Sequence, residues 1–158
     1  EEILTTEGEI MGMFLRENIP SGITPQEAVR RIRAQGGLVN IPHPFEKIRG
    51  SALKDRVIDE IAGDIDLMEI LNSRSPLPVN SNKARAFAAK HGIPGSAGSD
   101  AHTINEIGNA YMEMPEFNGR DEFLKALARG KIYGHRSSMF VHVFSTWARM
   151  KSSLRRRG

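Results

Sequence analysis

The chain has 158 residues, 39% apolar and 26% charged, no cysteine and a formal net charge of +3. That length suits one domain of ordinary size, and the balance argues against a disordered chain. No apolar run approaches the roughly 20 residues a membrane helix needs, and the missing cysteines exclude disulfides and thiolate zinc sites while favouring a cytoplasmic setting.

The charge is unevenly placed, because Lys151, Arg155, Arg156 and Arg157 crowd the last residues. The rest is near neutral, so nucleic acid is not the expected partner of the whole fold. The basic tail is the one feature that invites it, and a loose solvated terminus is the simpler reading. No secretory leader is visible and no membrane partner is expected. The chain opens at Glu1 inside a strand-like stretch, which reads as a piece of a longer protein.

Residues 2–6 and 10–15 read as strands, the second apolar enough to be buried. Thr24, Pro25 and Glu27 announce a helix: Thr24 is the N-cap, Pro25 takes the first helical position, and Glu27 completes a capping box. Ala28, Val29 and Ile32 give it an apolar stripe, and Gly36-Gly37 ends it. Residues 38–41 form a short strand stopped by Pro42. Residues 51–62 read as a helix with Leu53, Val57, Ile58 and Ile61 inward, and residues 65–71 as a strand. An alanine-rich helix over 80–91 ends at Gly92. Residues 96–99 are a small-residue strand, 109–114 another strand, and 120–129 a helix closed by Gly130. Residues 139–154 form a final helix carrying Phe140, Phe144 and Trp147, placed as an appendage (138–158) to a domain over 1–137. Repeated strand–helix–strand units with short connections predict an α/β fold with a mainly parallel sheet or barrel.

Parallel α/β folds gather functional groups where strands end. Three polar clusters occupy such places: His43 after the 38–41 strand, Asn72 after 65–71, and Asp100 with His102 after 96–99. In an extended segment residues two apart point the same way, so Asp100 and His102 are candidates to aim at one ion. A carboxylate with an imidazole suits zinc, manganese or iron. The spacing alone is weak, and a capping Asp beside an exposed His is the competing reading. Pro42 and Pro44 stiffen His43 and bias it to extended backbone. A rigid ligand and a half-buried turn histidine bonded to a carbonyl both fit.

Taken together, Ile41-Pro-His-Pro-Phe45, Glu69-Ile-Leu-Asn72 and Ala97-Gly-Ser-Asp-Ala-His102 resemble the PHP (polymerase and histidinol phosphatase) family in order and spacing. The opening Glu2-to-Phe14 segment is similar to that family's stretch in which a metal-bridging glutamate precedes a Gly-His-Ile-Leu-Gly type strand. The likeness covers residues 1–137. It implies a partial distorted (β/α)7 barrel lacking its first strands, two or three divalent ions (zinc, manganese or iron) at the strand ends, and hydrolysis of phosphate esters. Glu2 matches the bridging carboxylate, His43 the ligand of the His-Pro motif, and Asp100 and His102 the last two ligands. Glu9 stands where many members have a ligating histidine. Glu2 and Asp100 are thus the expected catalytic groups, and Glu2, Glu9, His43, Asp100 and His102 the metal set. Asn72 and Arg74 are the candidates for contact with a phosphorylated small molecule or nucleotide, Arg74 because guanidinium matches phosphate geometry. A surface ion pair is the plainer reading of Arg74. Arg136 invites the same idea.

The family's opening His-x-His motif is not found in this chain, so impaired activity is expected of it. A non-catalytic metal-binding or structural domain and an amidohydrolase-like hydrolase are the rival readings. The second would usually bring a metal-bridging lysine, and none matches. An incomplete barrel would expose sheet edges, so self-association is expected.

Overall fold

The computed structural model describes residues 1–135. The appended helix over 139–154, Arg136 and the basic tail lie outside the described residues. Within them, β1 (Glu2–Thr5) and β2 (Gly8–Met13) form a hairpin, with Thr5 opposite Gly8. Only Thr6 and Glu7 join them, and two residues permit only an antiparallel pairing. Gly8 has φ of +125°, and a Cβ there would meet the Leu53 backbone at 2.4 Å, so the turn accepts only glycine.

Helix α1 (Pro25–Ala34) starts as its sequence predicts: the Thr24 side chain accepts from the Glu27 N–H at 3.2 Å. The Glu27 carboxylate turns to Arg30 and Arg31 at 2.6–2.7 Å and not back to the Thr24 N–H, so the expected capping box is only half made. Then follow β3 (Leu38–Ile41), α2 (Asp55–Glu60), β4 (Leu67–Asn72), α3 (Pro78–His91), β5 (Gly95–Gly98), β6 (Ala110–Glu113), α4 (Gly119–Leu127) and β7 (Lys131–Gly134). Gly92 ends α3 in the left-handed conformation, φ 67°.

The main sheet runs β1-β2-β3-β4-β5, and β6 and β7 form a separate antiparallel pair. Only β3–β4 and β4–β5 are parallel; β1–β2 and β2–β3 are antiparallel. The expectation of a mainly parallel sheet therefore holds for the second half of the main sheet, and the described residues form an open mixed sheet. The outer edge of β1 is partly covered by the chain leading into α1: the Gly22 N–H donates to Leu4 O, and the Thr6 N–H to Ile23 O.

One face of the sheet is dry. Ile3, Ile10, Val39, Ile41 and Met68 pack there with Ala28, Val29 and Ile32 of α1, Val57 and Ile58 of α2, and Ala84 and Ala88 of α3. The opposite face is divided along its strands. Leu38 and Leu67, at the starts of β3 and β4, pack under Phe123 and Leu127 of α4 with Met13 and Met112. Two residues further on, the same face presents Asn40 and Glu69. Apolar strand starts seat the β6–α4–β7 unit, and polar strand ends are left for chemistry.

Ile32 is fully buried, against space that Gly12 and Gly37 leave open. Ile32→Ala is expected to cost about 3 kcal/mol in urea unfolding. Val79→Ala, at a 62% exposed position, should stay within about 0.5 kcal/mol of wild type.

Candidate functional site

Glu2 and Glu9 share the polar face of the β1–β2 hairpin, since Glu2 lies opposite Met11 and Leu4 opposite Glu9 and alternate residues face one way. His43 follows β3. Its side chain is 2% exposed, and Nε2 lies 3.1 Å from Glu9 Oε2. Its N–H donates to Glu69 Oε2 at 2.7 Å, and Asn72 Nδ2 donates to the same oxygen at 2.9 Å. Asn72 Nδ2 also lies 3.4 Å from Asp100 Oδ2. Arg49 Nη2 reaches Asp100 Oδ2 at 2.6 Å, and Arg49 Nε stands 3.2 Å from Glu46 Oε2, an ion contact without the alignment of a hydrogen bond.

Two sequence expectations about backbone are corrected. His43 is not extended but has φ of 31°, and Asp100 has φ of 48°. Left-handed conformations cost non-glycine residues about 1–3 kcal/mol where local preference opposes them. Because Asp100 is left-handed, His102 does not follow the alternation of a strand. Its Nδ1 folds back to the Asp100 carbonyl at 2.8 Å, and the side chain stays 31% exposed. Glu2, Glu9, His43 and Asp100 thus sit within one electrostatic neighbourhood, with His102 beside it. Among the described residues no three His, Asp or Glu side chains converge at metal-ligating geometry.

Asn72 and Arg74 are placed differently from their expected role. Asn72 Oδ1 accepts from the Arg74 N–H at 2.8 Å. Arg74 is 5% exposed and its Nη1 donates to Glu106 at 2.7 Å. Glu106 also accepts from the His102 N–H at 3.0 Å and Thr103 Oγ1 at 2.9 Å. The pair pins the loop that carries Asp100 and His102, so the Arg74 guanidinium is turned into the protein.

Sequence reasoning missed Glu69, Glu46, Arg49 and Glu106. The available sign for Glu69 was a carboxylate set inside the apolar run Leu67–Leu71. Gly98 makes room for it, since a Cβ there would meet Glu69 Oε1 at 2.2 Å.

The electrostatics follow from burial. Desolvation first, and then Arg49, hold the His43 imidazole below its ordinary range, against the pull of Glu9 and Asp100, so it is neutral. Nε2 faces the Glu9 carboxylate in a contact that is not aligned as a hydrogen bond, and the buried Nδ1 has no hydrogen-bond partner. Burial, helped by Glu9 and Asp100, raises the Glu2 carboxyl. Burial raises Glu46 as well, against Arg49. Glu69 is pushed up to about 7 by burial, with Asn72 and the His43 N–H pulling the other way. A set of carboxylates around a neutral imidazole fits a hard or borderline divalent ion.

Residues 80–132 match the family described as PHP-associated. The uncharacterized protein MJ0417 of Methanocaldococcus jannaschii is 40% identical over 121 residues, 75% of this chain and 51% of that protein. The uncharacterized protein MJ1587 of the same organism is 49% identical over 72 residues, 46% of this chain and 40% of that protein. The chain thus spans about half or less of the length of these curated relatives. Among solved structures, PsfC from Pseudomonas syringae PB-5123 is similar with a TM-score of 0.62 at 15% identity, over 95% of this chain and 64% of PsfC. A Bifidobacterium adolescentis protein assigned as a metal-dependent phosphoesterase gives 0.50 at 20% identity, over 80% of this chain and 42% of that one. At such identities these two show a shared fold.

Glu69 supplies a test in the metal-free chain. Its carboxyl ionises near 7 when folded against an ordinary 4.5, so the folded state holds the extra proton between those values. Its contribution to stability is full below 4.5 and is lost as pH rises through 7. Both donors use one oxygen of Glu69, which the amide oxygen of Gln can replace. In urea unfolding with EDTA, Glu69→Gln should therefore gain about 2–3 kcal/mol on wild type between pH 4.5 and 8.

Proposed function

We propose that this chain, whose residues 80–132 match the PHP-associated family, is part of a PHP-family protein and takes part in metal-dependent hydrolysis of phosphate esters. The observation that carries this reading is Glu2, Glu9 and Asp100 gathered around neutral His43, whose Nε2 faces Glu9 at 3.1 Å. The fold shared with a protein assigned as a metal-dependent phosphoesterase supports it. In this reading the open sheet is part of a distorted (β/α)7 barrel, and the substrate is a phosphorylated small molecule or nucleotide.

Glu2, Glu9, His43 and Asp100 would hold zinc, manganese or iron, with His102 joining them if its ring leaves the Asp100 carbonyl. Ions held there would supply a hydroxide from water near neutral pH and positive charge for the phosphoryl group. The chain's own residues do the positioning. Glu69 fixes His43 through its N–H, Asn72 ties Glu69 to Asp100, and the Arg74–Glu106 pair holds the loop after β5. Glu2 and Asp100 would orient the attacking oxygen. Association with a second copy would use a surface other than the covered part of the β1 edge.

Isothermal titration of the 158-residue chain with Mn2+ tests the site. Binding that EDTA reverses is expected. Asp100→Asn and His43→Ala should each weaken it at least about tenfold, a loss that even an indirect partner of a ligand produces. Unchanged affinity in both variants overturns the site. Release of phosphate from p-nitrophenyl phosphate, dependent on the added ion and lost in Asp100→Asn, is the expected activity.

A further inference from the structure

Arg49 is the cation set among the carboxylates. Its guanidinium bonds Asp100 at 2.6 Å and stands 3.2 Å from Glu46, with its side chain 23% exposed. The charges of Glu2, Glu9 and Glu69 reach it as well. A guanidinium taken out of water is stable only beside compensating negative charge. The same negative field would attract a divalent ion, and both cations would need Asp100. The side chain also lines a cavity of about 560 Å3 between the β1–β2 turn and residues 45–55, so it has room to turn away from the cluster.

Resting on the metal site proposed above, we infer that Arg49 is a built-in counter-ion that competes with the divalent ion for Asp100. In the metal-free chain its guanidinium neutralises the cluster and joins the 43–49 segment to the loop after β5. Metal binding requires it to leave Asp100 for the cavity. A purely structural tie makes the opposite prediction: removing the guanidinium would loosen the Asp100 loop and weaken metal binding.

Titration calorimetry with Mn2+ on the wild-type, Arg49→Gln and Arg49→Lys chains separates the two. Arg49→Gln should bind at least about tenfold tighter than wild type, since a like charge has been removed beside the ion, while its metal-free Tm falls. Arg49→Lys, which keeps the charge without the forked geometry, should lie between. Equal or weaker binding by Arg49→Gln overturns the inference and leaves the metal site standing. Metal binding by none of the chains overturns both. Should Arg49→Gln not fold, 15N spectra of the wild-type chain decide. The Arg49 Nε–H resonance is expected to move on Zn2+ saturation, and an unmoved resonance overturns the inference.

Discussion

Carboxylates from four parts of the chain meet at one end of one sheet face, and folding has to bring them together against their mutual repulsion. Glu2 and Glu9 come from the hairpin, Glu69 from β4, Asp100 from the loop after β5, and Glu46 from the segment after β3. Arg49 offsets part of that charge. The rest is relieved by burial, which favours the protonated acids and leaves His43 neutral. Such perturbed groups concentrated in one place are what make this end of the sheet the candidate site.

The surrounding framework explains why the cluster does not relax. The dry face packs three helices against β1–β4, and the starts of β3 and β4 are sealed by α4. The polar strand ends are thus held by structure that has no electrostatic interest in them. Local strain adds to this. His43, Phe45 and Asp100 all have positive φ, and Phe45 is anchored by its ring against Phe87, with centroids 5.8 Å apart. Left-handed backbone at non-glycine residues persists where packing over-determines it, and such residues cluster at functional sites.

The Arg74–Glu106 pair shows how a guanidinium attractive for phosphate becomes a brace. Both side chains are almost fully buried, and a charge in that position needs a partner more than it can serve a ligand. Arg49, three residues after Glu46, is instead half-buried at a cavity wall. The two arginines differ in burial and neighbours, which chemical type alone does not reveal.

Much was decided by local chemistry and is visible in the residues. The Thr24 cap, the Gly92 stop, the small-residue strand at β5 and the placing of His43, Asn72 and Asp100 at strand ends follow from nearest-neighbour preferences and periodicity, and these act within a few residues. The hairpin was not read, because strands expected over 2–6 and 10–15 hide the two-residue turn at Thr6 and Glu7, and β7, four residues with one half-buried side chain, carries too weak a pattern to be read. Tertiary structure alone settled the mixed sheet, the left-handed Asp100 that sends His102 back on its own carbonyl, and the roles of Glu69 and Arg49. Those depend on which charges meet after distant segments pack, and the interaction of two charges is set by distance and dielectric, neither of which a sequence states.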